Sequence, residues 1–203
     1  MSPDPPSGPR ALGAFLSAAL RRPSTMGAVA PSSRRLASVL ASIVPRDGAP
    51  VVVELGPGTG AVSAVIAGRL PTGARHLAVE LDPDMVSYLN RTLPALEVVP
   101  GDARDLGRIL TERGLDRADA VICGLPWALF PDEVQADVLG EVARAIGDTG
   151  AFTTFAYLQG MALPAARRFR ATLRARFDEV LVSATVWRNV PPAFVYVCRR
   201  PRR

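Results

Sequence analysis

The sequence predicts an α/β fold: a doubly wound, mostly parallel seven-stranded sheet with helices on both faces, an antiparallel edge strand, and extra helices at the N-terminus. Two observations carry that expectation. From residue 51 onward, short apolar runs alternate with segments of helical periodicity, which is how strands buried on both faces and joined by crossover helices read. The last two apolar runs follow one another with no helix between them, so they form an antiparallel pair at one edge.

In chain order, residues 1–9 are rich in Pro, Ser and Gly and are expected to be a disordered tail. Residues 10–22 place Leu12, Phe15, Leu16, Ala19 and Leu20 on one helical stripe, with Arg10, Arg21 and Arg22 at the ends, the pattern of a short amphipathic helix that Pro23 stops. A second helix is expected over 34–44, its first turn capped by Ser32 or Ser33. Residues 10–47 thus read as amphipathic or lid helices ahead of a domain over 48–203. In that domain strands are expected at 51–55, 76–81, 97–99, 118–123, 151–157, 179–187 and 193–198, and helices at 61–70, 83–92, 104–113, 131–146 and 163–176. Pro83 suits the first turn of its helix, and Asp132 and Glu133 suit the N-terminal end of theirs.

Of the 203 residues 48% are hydrophobic, enough for one sizeable core, which excludes a disordered chain or a fibrous repeat. All 24 positive residues are Arg and none is Lys, a bias that codon drift in G+C-rich DNA and selection for guanidinium chemistry both produce. The net charge of +5 is uneven. Residues 1–47 carry six Arg against two acids, residues 48–150 eight Arg against fifteen acids, and residues 151–203 ten Arg against two acids. Basic ends around an acidic middle point to an anionic partner, whether nucleic acid, a membrane surface or an acidic substrate, with solvated surface charge as the plain alternative.

Cys123 and Cys198 each sit in an apolar run, so no disulfide framework is expected and a reducing compartment is. No run of about 18 uncharged apolar residues occurs, and Pro3, Asp4, Pro5 and Pro6 stand where an export signal carries its basic region, so a cytoplasmic location is expected. With one His, His76, and no Cys or His cluster, no metal site is expected.

Residues 51–60 read Val-Val-Val-Glu-Leu-Gly-Pro-Gly-Thr-Gly, a strand that runs into a Gly-x-Gly-x-Gly turn ahead of a helix. Such glycines let the chain turn tightly and let a ligand approach the backbone. Glu80 ends the next strand 20 residues after Gly60, where an acid grips the ribose hydroxyls of an adenosine-containing cofactor. The dinucleotide pattern Gly-x-Gly-x-x-Gly is not met, since the third Gly comes one residue early, although Ala61 satisfies its looser form. Glu54, Gly56, Gly58 and Gly60, followed by Glu80 and by Gly101-Asp102-Ala103, resemble the class I S-adenosylmethionine-dependent methyltransferases, whose sheet is Rossmann-like. The resemblance implies S-adenosylmethionine as cofactor, with Glu80 on the ribose and Asp102 on the adenine amine. It also implies cofactor contacts from Leu81, Ala103 and Cys123, and from Met26 and Gly27 in the linker before the second helix.

The fourth strand ends in Cys123-Gly124-Leu125-Pro126-Trp127, which resembles the Asn-Leu-Pro-Tyr type motif of the rRNA adenine dimethyltransferases with Gly124 in the Asn place. An Asn carbonyl orients a planar base amine. Gly124 supplies only backbone, which suits an sp3 primary amine that needs positioning and the loss of a proton. Together with residues 22–33 and with Asn189-Val190-Pro191-Pro192-Ala193-Phe194-Val195-Tyr196, this variant is similar to the bacterial phospholipid N-methyltransferases that convert phosphatidylethanolamine toward phosphatidylcholine, over residues 15–199. That resemblance implies a phospholipid substrate and a catalytic set of Gly124, Leu125, Trp127 and Tyr157. Trp127 and Tyr157, at the ends of strands four and five, are expected to surround the developing ammonium by cation–π contact. No residue pair forms a general base, so Tyr157, a backbone carbonyl or a water is expected to take the proton.

On this reading the helix over 10–22 anchors the enzyme. Leu12, Phe15, Leu16 and Leu20 enter the interface while Arg10, Arg21 and Arg22 meet anionic phosphates for about 3 kcal/mol, a reversible attachment to the inner face of the cell membrane. Arg167, Arg168, Arg170, Arg174 and Arg176 extend that surface, and a monomer is expected. Alternatively the helix packs across the sheet or caps the cofactor site. Three other functions stay open: an rRNA adenine N-methyltransferase-like enzyme whose basic flanks track phosphates, a small-molecule N-methyltransferase of secondary metabolism, and a cofactor-binding module without activity. Gly124 argues against the nucleic acid.

Overall fold

A computed structural model describes residues 32–202. In order, α1 (Arg34–Leu40), β1 (Val51–Leu55), α2 (Ala61–Ala67), β2 (Arg75–Glu80), α3 (Pro83–Thr92) and β3 (Glu97–Pro100) form the first half. They are followed by α4 (Leu106–Thr111), β4 (Ala120–Cys123), α5 (Asp132–Ile146), β5 (Ala151–Tyr157), α6 (Pro164–Arg176), β6 (Phe177–Val182) and β7 (Ala193–Pro201). The tail at 1–9, the amphipathic helix at 10–22, and Met26 and Gly27 lie outside the described residues.

The strands pair in the order β3-β2-β1-β4-β5-β7-β6. All pairs from β3 to β5 are parallel, and β7 runs antiparallel to both β5 and β6. The expected antiparallel pair therefore closes one edge, with β6 outermost and the reversed strand one place in. Each central strand is apolar on both sides because each face carries helices. Val53, Leu55, Val79, Val121 and Phe152 meet α4, α5 and α6, whereas Val52, Ile122 and Val195 meet α1 and α2.

Local chemistry sets the element ends. Ser33 caps α1, its hydroxyl accepting the Leu36 N–H at 3.2 Å. The helix expected over 34–44 tightens into a 3-10 turn at Ala41–Ile43, where the buried Thr153 hydroxyl donates to the Leu40 carbonyl at 2.8 Å. The helix expected from 104 begins instead with a 3-10 turn at Ala103–Asp105, because the Asp102 carboxylate accepts the Arg104 N–H at 2.9 Å. The sixth strand stops at Val182 rather than at 187. Ser183 ends it: its N–H still donates to the Val195 carbonyl at 2.9 Å, but its hydroxyl rather than its carbonyl accepts the Val195 N–H at 2.9 Å, and after it one isolated bridge joins Val186 to Ala193.

Sequential strands step outward in one direction from β1 and in the other from β4, so the sheet has its switch point between them. Ligands of open α/β sheets bind in the crevice outside the carboxyl ends of the strands at such a point. The loops after β1 and β4 flank it.

Candidate active site

Gly56, Gly58 and Gly60 carry φ of +70°, +55° and +82°. At Gly60 only glycine serves: the left-handed backbone disfavours a side chain, and an added Cβ would lie 2.5 Å from Leu93 Cδ1 of the segment after α3. At Gly58 a Cβ would meet nothing within 4 Å, so the turn has open space above it. Gly56 N–H donates to the Val79 carbonyl at 3.0 Å, which ties the turn to β2 just ahead of Glu80.

Glu80 is 4% exposed, and its Oε1 accepts the Asp82 N–H at 2.9 Å. Burial raises its pKa above the ordinary carboxylate value, against the opposing pull of backbone N–H groups of Asp82, Gly58 and Leu81. The carboxylate therefore stands at the glycine turn, beside open space. This donor set fits a nucleoside whose ribose hydroxyls donate to the acid while the backbone at Gly58 lies close. Leu81 follows it half-exposed.

Asp102 lies at the next strand end. Burial alone would raise its pKa, but the Arg104 side chain and backbone N–H outweigh that and hold the carboxyl below its usual range. Arg104 grips it through Nε at 3.1 Å and through its terminal nitrogen at 2.6 Å, and Ala103 packs at the edge of the core beside it.

Glu54 is placed differently from the other acids. Its Oε2 lies 3.2 Å from His76 Nε2, both side chains buried, so the single described His joins β1 to β2 beneath the helix layer. Cys123 is fully buried and its thiol is pushed up to about 12, which keeps it protonated.

The loop after β4 folds back onto the glycine turn. Gly124 N–H donates to the Leu55 carbonyl at 2.8 Å, and a Cβ on Gly124 would stand 2.7 Å from the Gly56 carbonyl oxygen. Leu125 packs over Gly56, where a Cβ would lie 2.8 Å from its Cδ2. Gly124 is thus a packing requirement as well as a missing side chain. The two expected aromatic residues go to opposite faces of the sheet. Trp127 is 5% exposed, its indole N–H donates to Thr154 Oγ1 at 2.6 Å, and its ring lies 4.8 Å from Phe169 and 5.9 Å from Phe130. Its bulk is core. Tyr157 belongs to the other cluster, half-buried at the end of β5 with Phe155 edge-on at 5.4 Å. Burial raises its phenol above the ordinary value, so it is neutral at neutral pH rather than a phenolate.

Three residues that sequence reasoning left out of the site hold its loops. Gln135 of α5 donates through Nε2 to the carbonyls of Trp127 and Phe130, both at 3.0 Å. The signal was present, since Gln135 is the polar member of the stripe that continues with Val138, Leu139 and Val142. Thr154 anchors the indole from inside an apolar strand. Asn189 accepts the Ser33 N–H at 2.9 Å and donates to the Pro191 carbonyl at 2.7 Å, beside the cis Val190–Pro191 bond, so the start of α1 meets the loop between β6 and β7. Replacing Gln135 by Leu should leave the Phe130 carbonyl without a donor and the Trp127 carbonyl with only the Phe130 N–H at 3.1 Å, and cost about 2 kcal/mol in urea unfolding. Cofactor affinity should hold while kcat falls.

Residues 52–150 match a methyltransferase domain family. An ornithine lipid N-methyltransferase from Singulisphaera acidiphila is 36% identical over 188 residues, 91% of this chain and 94% of that one. The chain belongs to the class I S-adenosylmethionine-dependent methyltransferases. S-adenosylmethionine is the cofactor of this methyltransferase. Solved structures share the fold. A TehB-like SAM-dependent methyltransferase from Corynebacterium glutamicum aligns with a TM-score of 0.59 at 15% identity, covering 94% of this chain and 99% of that one. Human methyltransferase-like protein 13 in complex with SAH aligns at 0.60 and 17% identity, covering 81% of this chain and 79% of that one. Among the described residues of the methyltransferase no helix is long and apolar enough to cross a membrane, and no group of three or more His, Cys, Asp and Glu is placed to hold a metal.

Proposed function

We propose that this methyltransferase methylates the primary amine of a membrane lipid head group. One observation carries the reading: the ornithine lipid N-methyltransferase of Singulisphaera acidiphila matches it over nearly its whole length. The geometry after β4 supports it. A nucleobase amine is planar and needs an acceptor on a side chain at position 124, where the Gly56 carbonyl leaves no room for one. An alkyl amine needs less. Its ammonium form, with a pKa near 10.4 in the lysine side chain, has to lose a proton and then presents a localised lone pair.

S-adenosylmethionine supplies an electrophilic methyl on a sulfonium centre. The chain's own part is to hold and align. Glu80 and the glycine turn hold the nucleoside end, and the Gly124-Leu125 backbone, packed on Gly56, fixes where an amine can sit relative to it. Because burial keeps Tyr157 neutral, the amine's proton passes to water.

Phosphatidylethanolamine and ornithine lipids both end in a primary alkyl amine, and the named relative puts the ornithine head group first. The test incubates the purified protein with radiolabelled S-adenosylmethionine and liposomes that contain one lipid or the other, with structured RNA in parallel. Label in the lipid extract is expected. Label in RNA alone would overturn the reading.

A further inference from the structure

Among the described residues, large apolar side chains are left in solvent mainly toward one end of the sheet, where Leu181 and Val182 close the edge strand β6 exposed. Trp187 is 71% exposed, Val190 77%, Leu163 58%, and Met161 stands beside them with nearly half its surface free. They come from two loops, the one after β5 and the one between β6 and β7. Because β6 runs the same way as β5 and β7 returns, with Tyr157 opposite Ala193, both loops leave the sheet at the same end. The Leu158 N–H donates to the Pro192 carbonyl at 2.9 Å and joins them. This end is also the one at which β1, β2 and β4 present the glycine turn, Glu80 and Gly124.

Charge points the same way. The exposed Arg188 sits on the second loop and the exposed Arg167 in the first turn of α6 just after the first; no acid occurs in residues 149–177 or 180–203, and Asp132 of α5 is held by Arg168 at 3.2 Å. Apolar loop tips rimmed by Arg and free of carboxylates match an anionic bilayer, whose interface takes Trp and short apolar side chains while phosphates take guanidinium.

We propose that the rim formed by residues 158–163 and 183–192 is the surface on which this enzyme seats on an anionic lipid bilayer, with the mouth of its active site turned toward the head groups. The proposal rests on the lipid-substrate reading and deepens it. It adds a docking surface in the catalytic domain itself, apart from the helix expected at 10–22. A head-group amine would then reach the cleft with its acyl chains still in the membrane.

The chain holds two tryptophans, one buried and one exposed, so intrinsic fluorescence reports on this rim. The full chain is mixed with vesicles of phosphatidylcholine, with and without phosphatidylglycerol. With the anionic lipid, emission should shift to the blue and be quenched by brominated acyl chains, and Trp187→Phe should lose the shift. Trp187→Ser combined with Leu163→Ser should pellet with vesicles at least about tenfold more weakly. It should still methylate a dispersed short-chain amino lipid at the parent rate, which shows that it is folded. Pelleting of the parent chain with Trp187 emission unchanged would overturn the proposal, because another surface then docks. A blue shift that grows with protein concentration in the absence of vesicles would overturn it too, since a second copy would be covering the rim. If docking holds but no lipid of any kind takes label, the substrate reading fails and the docking surface stands.

Discussion

Replacing Glu80 by Ala is expected to weaken S-adenosylmethionine binding about a hundredfold or more. Two ribose hydroxyls donating to one carboxylate make charge-assisted bonds of about 1.5–3 kcal/mol each, and about 1.4 kcal/mol is a factor of ten. Titration calorimetry with the demethylated cofactor reads the loss directly, and an unchanged affinity would displace Glu80 from the proposed ribose site. The carboxylate also gives the binding a pH dependence whose sign can be worked out. Burial lifts the pKa of Glu80 in the folded protein, so on acidification it takes up its proton at a higher pH than an ordinary Glu. A protonated carboxyl is a poorer acceptor. Cofactor affinity should therefore fall as pH drops through that raised pKa, and Glu80→Ala should abolish this dependence.

Gly124→Asn is expected to cost activity at least about a hundredfold, rather than to confer methylation of adenine. A Cβ here would stand 2.7 Å from the Gly56 carbonyl oxygen, a backbone atom that cannot swing aside. The glycine turn or the loop after β4 has to move, and displacements of about 1 Å at a reacting centre can lower rates by two orders of magnitude. Overpacking of this kind also costs about 1–3 kcal/mol of stability. Gly124→Ala should show most of the same loss, because the Cβ alone makes the clash. Single-turnover methylation of lipid vesicles and of an adenine oligonucleotide separates the outcomes. Adenine label from Gly124→Asn would mean that the loop yields.

The sheet was legible because its central strands are buried on both faces and read as nearly unbroken apolar runs, Ala120 to Cys123 wholly so and Val51 to Leu55 with Glu54 as the one break. The glycine turn and Glu80 were legible because backbone constraints leave a sequence mark. The end of β6 was not, since a serine hydroxyl standing in for a ladder bond looks like any other strand residue. Trp127 shows the same limit from the other side. Its place at a strand end suggested a ring lining the cleft, yet Thr154 and the rings of Phe130 and Phe169 draw it into the core, and of these Thr154 and Phe169 lie far off in sequence. Likewise Glu54 carried the family pattern, but only the structure showed its buried partner His76.

The reversed strand β7 has a practical consequence. A parallel strand in its place would need a helical crossover to reach it, and the segment before it would be bound into the body of the domain. Reversal makes residues 183–192 a hairpin connection pinned by the ladder at both feet, with Asn189 bracing it against the start of α1. Such a connection can be exchanged between relatives as one cassette while the nucleoside pocket on the far half of the sheet is left alone. The rim proposed to meet the bilayer and the grip on the methyl donor are then separately open to engineering.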